Sequence, residues 1–191
     1  MSASSGQGQR NCEGSQALGV EALAIQADSA NVEAVVVAVK RTVRELGGID
    51  ILVNSAGIAV IAPIDDYRLE DLDRTLAVNV RAVFVATQAA VKHMQAGGRI
   101  INVGSCNAER VPFMGGSVYA MSKAALVGLV NPMETEITPS TTDFAKMLMQ
   151  VMALHRNGTG NEIAFLVVYL ASPETAYAKG ASLSIDGGFT T

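Results

Sequence analysis

Apolar residues recur along this chain with two different periods. Between Asn31 and Leu46 they return every three or four residues, which predicts a helix that ends at Gly47 and Gly48. The same spacing predicts further helices at about 70–94, 117–130 and 161–170. Short, nearly continuous apolar runs bounded by polar or glycine residues predict strands at about 21–28, 49–53, 100–103 and 181–185.

The predicted strands alternate with the predicted helices and are apolar on both faces. This pattern predicts an α/β fold, a doubly wound parallel sheet covered by helices on both sides. Ligands of such sheets bind beyond the carboxyl ends of the strands, where Asp28, residues 54–57 and Ser105 fall. The 191 residues suit a single domain. Residues 1–19, rich in Ser, Gly and Gln, are expected to be a poorly ordered lead-in or a frayed helix.

Composition excludes several classes of protein. The net charge is −4, from 14 basic and 18 acidic residues without a Lys/Arg cluster, which argues against a nucleic-acid partner. No apolar run approaches the ~20 residues of a membrane span, and the first residues lack the apolar core of a signal peptide. The two cysteines are far apart and have no metal-ligand spacing. We therefore expect a cytoplasmic protein with no bound metal and no membrane partner.

Two residues in the predicted 117–130 helix carry the first chemical signal. Tyr119 and Lys123 are four residues apart, about one helical turn, so that phenol and ammonium share a face. A nearby cation favours phenolate and is expected to lower the pKa of the tyrosine from its usual ~10. Ser105, at the end of a predicted strand, could meet this pair. Together the three groups could protonate a carbonyl oxygen while hydride reaches its carbon.

Cys106 offers an alternative, because it follows Ser105 directly and could act as a thiol nucleophile. Such a thiol needs a partner base. His93 and His155 lie in helical contexts without a recognisable partner motif, so this alternative is disfavoured. Met147, Met149 and Met152 have two interpretations, a mobile apolar cover over a substrate or ordinary core packing.

Several ordered elements of the chain resemble the short-chain dehydrogenase/reductase family, of the 3-oxoacyl-carrier-protein-reductase-like type. The matching elements are Asn54-Ser55-Ala56-Gly57, Asn79 between two valines, Ser105, Tyr119-x-x-x-Lys123, residues 132–135 and the ending 180–188. Residues 107–112 and the C-terminal phrase also look like a subgroup that includes a bacterial biofilm-dispersal protein. The resemblance runs from about residue 20 to the end and implies a Rossmann-like fold.

The resemblance implies roles for individual residues. Tyr119 would be the general acid, Ser105 would bind the substrate oxygen, and Lys123 would bind the nicotinamide ribose. Asn79, unfavourable in a helix interior, would interrupt its helix and hold a water that links Lys123 to solvent. Alternatives remain for each: a surface tyrosine, a strand-ending serine, a solvated lysine and a solvent-facing asparagine.

The remaining implied residues contact the cofactor. Asn54, Ala56 and Gly57 would form a tight turn beside the adenosine ribose, or else a plain turn from strand to helix. Asp28 would accept from the adenine amino group, or else be a helix N-cap just before Asn31. Thr135 would contact the nicotinamide amide. The resemblance favours NADP(H) over NAD(H).

Two departures from the family pattern stand out. No strand followed by a Gly-rich turn precedes residue 20, although such a turn binds the cofactor pyrophosphate in the family. Near residue 130 the end of a helix and a core strand are missing. Loss of a central strand would leave buried backbone groups of its neighbours without hydrogen-bond partners, at a cost in stability of about 1–3 kcal/mol each. We therefore expect the sequence to be part of a longer protein. An inactive, truly deleted chain is the alternative.

These observations predict an NAD(P)-dependent oxidoreductase that reduces a ketone or 3-oxoacyl group to an alcohol. The alternative is a regulatory protein on the same scaffold that binds a cyclic dinucleotide, and a third possibility is a pseudo-enzyme. The resemblance also implies a homotetramer or homodimer, with the segments 127–130 and 181–185 at its interfaces.

Overall fold

A computed structural model of the protein describes residues 5–109, 111, 113–126, 143–176 and 183–190. In chain order its main elements are α1 (Ser5–Ala17), α2 (Val32–Leu46), β1 (Ile51–Asn54), α3 (Leu69–Leu76), a π-helix (Ala77–Arg81), α4 (Ala82–Ala90), β2 (Arg99–Asn102), α5 (Ser117–Ala124), α6 (Asp143–Gln150) and α7 (Gly160–Ala171). Short 3₁₀ turns lie at Cys106–Ala108 and Pro173–Thr175. None of the described helices is both long and apolar enough to cross a lipid bilayer.

Helix α2 has the caps that its sequence predicts. The Asn31 side chain accepts from the backbone N–H of Ala34 at 3.0 Å, and Gly47 ends the helix at φ 86°. Val39, on its apolar face, packs with Ala89 and Ala90 of α4. Ile49 and Leu52 join this cluster, so that α2, α4 and the start of the sheet share one core.

The described sheet consists of β1 and β2, which pair in parallel from Ile51 with Arg99 to Asn54 with Asn102. Both strands end at the same edge, and there the Asn54 amide donates to the Asn102 side-chain oxygen at 2.8 Å. Ile51 and Val53, which point to the same face of the sheet, stay partly exposed, so this face is incompletely covered. Polar groups from two strands thus meet at the carboxyl edge, where the site is expected.

The predicted long helix at 70–94 is interrupted. Residues 77–81 form a π-helix around Asn79, and the regular helix that follows ends at Ala90, short of Gly97. The interruption agrees with the expected effect of an asparagine in this position. A π-turn accommodates one extra residue, which here turns the Asn79 side chain toward its partners.

Two strand predictions differ from the structure. Residues 21–28 have no strand partner among the described residues; instead the Ala22 carbonyl accepts from the Cys12 thiol of α1 at 3.0 Å. A strand needs a neighbouring strand for its hydrogen bonds, so the apolar pattern alone was not enough to predict a strand here. Residues 183–185 are likewise irregular, and 181–182 lie outside the described residues. At the N-terminus, residues 5–17 form a helix, which agrees with the helical alternative for this segment and not with a loose lead-in.

Thr75 carries a buried hydroxyl that finds no hydrogen-bond partner in the part of the chain that the structure describes. The residue lies in α3, one turn before Asn79, and is 0% exposed. An unsatisfied buried hydroxyl lowers stability. We expect Thr75→Val to raise the free energy of unfolding by about 1 kcal/mol, or a few degrees of melting temperature.

The matched control for this prediction is Thr42→Val. The Thr42 hydroxyl, also helical, donates to the Ala38 carbonyl at 3.0 Å, so its loss is expected to be neutral or mildly destabilising. Denaturant unfolding of both variants gives the comparison. A drop in stability for Thr75→Val would show that its hydroxyl has a partner in the folded protein.

Candidate active site

Ser105 and Tyr119 meet although they come from separate stretches of the chain. Ser105 follows β2 and begins the 3₁₀ turn Cys106–Ala108, where its side-chain oxygen accepts from the Asn107 N–H at 3.3 Å. Tyr119 lies in the first turn of α5. The Ser105 hydroxyl lies close enough to the phenol to favour its ionised form, which lowers the pKa of Tyr119 against the effect of burial. The two hydroxyls can therefore bind the same oxygen atom of a substrate.

Lys123 is buried on the inner side of α5, with only 4% of the residue exposed. Its ammonium donates to the Val103 carbonyl, just past β2, at 3.0 Å. Among the residues that the structure describes, this carbonyl is its one hydrogen-bond acceptor. An ammonium has three donors. Lys123 can therefore bind further hydroxyl groups at the carboxyl edge of the sheet.

The expected lowering of the tyrosine pKa is wrong. Burial raises the pKa of Tyr119 above its ordinary value, and the opposing hydrogen bond from Ser105 does not cancel this effect. Burial also lowers the pKa of Lys123. The Lys123 ammonium bonds to a carbonyl rather than to the phenol. At neutral pH the phenol keeps its proton, which suits proton donation to a substrate.

Asn79 is fully buried in the π-helix, with 0% exposed, and is not a solvent-facing residue. Its amide pairs in both directions with the backbone of Ile58: the side-chain oxygen accepts from the Ile58 N–H at 2.9 Å, and Nδ2 donates to the Ile58 carbonyl at 2.9 Å. Nδ2 also donates to the Ser122 hydroxyl at 2.9 Å. Asn79 thus connects the turn after β1 to α5.

The turn after β1 passes directly in front of Lys123. Asn54 ends β1, while Ala56 and Gly57 are exposed. A Cβ built on Gly57 would lie 3.2 Å from the Lys123 Nζ and 3.5 Å from the Asn79 side-chain oxygen. Glycine therefore lets the backbone come close to the ammonium, a contact that was not predicted. The adenosine-ribose contact expected of these residues stays a prediction.

We expect Gly57→Ala to reduce turnover several-fold to about tenfold, because its Cβ would push the Lys123 ammonium aside by a few tenths of an ångström. Gly48→Ala is the control, since a Cβ there meets nothing within 4 Å. Steady-state kinetics and melting temperature are measured for both variants. Equal turnover in Gly57→Ala and wild type would mean that the ammonium position is not critical.

The Cys106 thiol is unsuited to nucleophilic attack. Burial, followed by the nearby negative charge of Asp186, raises the pKa of Cys106 to about 12. Its side chain packs instead with Met152 and Phe189, and Met149 lies against this cluster. Met152 is therefore a core residue rather than part of a mobile cover, and the packing interpretation is correct for it.

The C-terminal segment supports this core from behind the site. Burial alone would raise the pKa of Asp186, but hydrogen bonds from the Thr190 hydroxyl and from backbone N–H groups bring that pKa below its usual value. The carboxylate accepts from the N–H of Gly188 and of Thr190, each at 3.0 Å. The Leu154 N–H donates to the Gly187 carbonyl at 3.0 Å. Residues 186–190 are thereby fixed beneath Cys106.

For two predicted cofactor residues the structure shows no contact with this site: one is bonded elsewhere, and the other lies outside the described residues. Asp28 accepts from the Ala30 N–H at 3.0 Å and so closes a small turn, while Asn31 is the N-cap of α2. The N-cap alternative for Asp28 is therefore wrong, and its adenine contact stays a prediction. Thr135 lies outside the described residues.

Sequence reasoning missed three contributors to the site. Val103 and Ile58 act through backbone groups, which carry no sequence signal. Ser122 was detectable in principle, because a serine inside a helix otherwise rich in alanine is unfavourable for propensity.

Comparison with known proteins identifies the family of the chain. The family model described as short chain dehydrogenase matches residues 1–159, and a second, described as Enoyl-(Acyl carrier protein) reductase, matches residues 130–190. The Cyclic-di-GMP-binding biofilm dispersal mediator protein of Escherichia coli K12 is 35% identical over 187 residues, covering 88% of this chain and 77% of its own length.

Solved structures are similar over nearly the whole chain. The short-chain dehydrogenase/reductase from Serratia marcescens BCRC 10948 has a TM-score of 0.96 at 46% identity, covering 99% of this chain and 85% of its own. A short chain dehydrogenase from Burkholderia cenocepacia J2315 in complex with NADP has a TM-score of 0.97 at 41% identity, covering 100% and 86%. The fold is thus of the Rossmann type, and the family is one of oxidoreductases. The chain belongs to the short-chain dehydrogenase/reductase family.

Proposed function

We propose that the protein is an NADPH-dependent carbonyl reductase that converts a ketone or a 3-oxoacyl group to an alcohol. The observation that carries the proposal is the meeting of the Ser105 hydroxyl with the Tyr119 phenol at the carboxyl edge of the sheet. Lys123 and Asn79 lie beside the neighbouring turn, at Gly57. The preference for NADPH rests on the NADP complex of the similar Burkholderia protein.

The described residues fit one end of this cofactor. The buried Lys123 ammonium has donors left for ribose hydroxyls, and Gly57 leaves the space in front of it free of a side chain. No Gly-rich turn between a strand and a helix precedes β1 among the described residues, so the fit concerns the nicotinamide-ribose end alone. When bound, the nicotinamide supplies hydride to the carbonyl carbon.

The protein side chains bind and protonate the carbonyl oxygen of the substrate. Ser105 donates a hydrogen bond that strengthens as negative charge develops on that oxygen. Tyr119 then transfers its proton to the same oxygen, giving the alcohol and a phenolate. Solvent restores the proton, and the raised pKa of Tyr119 favours its return. Asn79 and Lys123 hold the surrounding turns in place.

The proposal is tested by following NADPH oxidation by the purified protein with two substrate series, small ketones and 3-oxoacyl thioesters. Turnover with either series supports a carbonyl reductase, and the better series names the substrate class. NADH serves as the comparison for cofactor preference. Absence of NADPH oxidation with both series would overturn the proposal.

A second candidate function is cyclic-dinucleotide binding, favoured by the name of the 35% identical Escherichia coli relative. Calorimetric titration with cyclic di-GMP separates the two candidates. Binding without any NADPH turnover would favour a regulatory protein. A protein that binds neither nucleotide would be a pseudo-enzyme.

We also infer that the protein forms a homotetramer or homodimer. Helix α7 exposes Phe165, Val168 and Tyr169; the last two follow Phe165 by three and four residues, so all three lie on one face. The predicted interface segment 127–130 lies outside the described residues. Light scattering coupled to size exclusion measures the mass, and a monomer would contradict this inference.

A further inference from the structure

Ser122 is a buried polar residue to which the proposed reaction assigns no role. It lies in the interior of α5 with 0% exposed, next to Lys123 in sequence. Serine disfavours a helix interior relative to alanine, the residue found at 120, 124 and 125. A hydroxyl in such a place is retained at a cost to the helix, so its hydrogen bonds indicate what it contributes.

Those hydrogen bonds join two residues of the candidate active site. The Ser122 hydroxyl donates to the backbone carbonyl of Tyr119 at 2.7 Å. The same oxygen accepts from Nδ2 of Asn79 at 2.9 Å. One hydroxyl therefore connects the helix that carries the phenol to the π-helix.

The connection continues around the site. Asn79 pairs with both backbone groups of Ile58, and the preceding Gly57 lies against the Lys123 ammonium. Lys123 follows Ser122 in α5, so this series of contacts begins and ends in the same helix. Each bond in the series is buried or partly buried, so water does not readily replace a lost partner.

We propose that Ser122 is a positioning residue that fixes Tyr119 relative to Asn79 and Lys123. The inference rests on the proposed carbonyl reductase function. Without the Ser122 hydroxyl, Asn79 loses an acceptor and the first turn of α5 loses its link to the π-helix. The phenol then meets Ser105 less well, and proton transfer slows because it depends steeply on geometry.

Thr75 provides an internal control of the same kind. It too is a 0% exposed hydroxyl, and it lies on α3, which packs against α5. Among the described residues its hydroxyl has no partner. Ser122→Ala and Thr75→Val therefore each remove one buried hydroxyl near this interface, the first with two partners and the second with none.

The experiment measures both variants well below their melting temperatures. For Ser122→Ala we expect kcat for carbonyl reduction to fall about tenfold. The KM for the substrate and the Kd for NADPH are expected to stay within twofold of wild type. Thr75→Val is expected to keep the wild-type kcat. A purely structural role for Ser122 would lower the melting temperature and leave kcat of the folded enzyme unchanged.

A spectroscopic titration tests the inference without turnover. The difference between wild type and Tyr119→Phe in ultraviolet absorbance isolates the ionisation of Tyr119. Because the Ser105 bond favours the phenolate, its weakening in Ser122→Ala is expected to move this ionisation to higher pH. Thr75→Val is expected to leave it in place.

The two proposals fail in different ways. If wild type does not oxidise NADPH, the proposed function fails, and the absorbance titration alone decides the role of Ser122. If wild type is active, an unchanged kcat together with an unchanged Tyr119 ionisation in Ser122→Ala overturns the positioning role.

Discussion

Tyr119→Phe is expected to lose at least about 10²-fold in turnover of carbonyl substrates, because it removes the phenolic proton that the proposed reaction transfers to the substrate oxygen beside Ser105. The ring and its packing stay, so the melting temperature and the Kd for NADPH should change little. Tyr169→Phe is the control, since Tyr169 is exposed on α7. Initial rates of NADPH oxidation measure the effect.

The pH dependence of the reaction rate is an independent test of the role of Tyr119. Reduction needs the protonated phenol, and burial raises the pKa of Tyr119. Ionisation of Tyr119 should therefore limit the reductive rate only above the ordinary tyrosine value of ~10. In wild type the rate should already fall at lower pH, where the Lys123 ammonium, whose pKa burial lowers, loses its proton. Alcohol oxidation needs the phenolate, so its rate should rise with pH. Wild-type turnover in Tyr119→Phe would remove this residue from the mechanism.

Lys123→Met is expected to reduce turnover by about 10²-fold or more while leaving the protein at least as stable. The ammonium is the buried cation next to Gly57, and its loss removes donors for the cofactor ribose as well as positive charge beside the developing oxyanion. Methionine keeps the apolar part of the side chain. Lys40→Met, at an exposed position of α2, is the control.

The pH dependence of the free energy of unfolding tests whether burial of the Lys123 ammonium destabilises the folded protein. Burial lowers the pKa of Lys123 in the folded protein, so the unfolded chain binds the proton more tightly. Wild-type stability should therefore gain a contribution as pH rises from the lowered pKa toward the unfolded value of ~10.4. Lys123→Met should lack this gain. Identical pH dependence of denaturant unfolding in both proteins would contradict the assignment.

Much of the site was predictable because it depends on side chains at regular spacing. The one-turn separation of Tyr119 and Lys123 required only helix geometry, and both residues lie in one helix, which ends at Ala124 rather than at the predicted residue 130. The carboxyl-edge position of Ser105 followed from the alternation of strands and helices. The caps of α2 at Asn31 and Gly47 were likewise readable from local chemistry.

The electrostatics could not be predicted in the same way. Spacing suggested that the ammonium would act on the phenol, but burial of both groups is a tertiary property and outweighs that effect. The Val103 carbonyl that accepts from Lys123 is a backbone group and leaves no trace in the sequence. Residues 21–28 were misjudged for a related reason, because a strand is defined by a neighbour rather than by its own pattern.

Because of the π-helix, the number of residues between α3 and α4 determines where the Asn79 side chain points. A chain lacking a single residue from Ala77–Arg81 could still run as regular helix between its flanking segments. Its asparagine, however, would be rotated by about 100° relative to one of those segments and would turn away from Ile58 or from Ser122. A related sequence with a one-residue deletion here would therefore be expected to be inactive, even if it keeps Ser105, Tyr119 and Lys123.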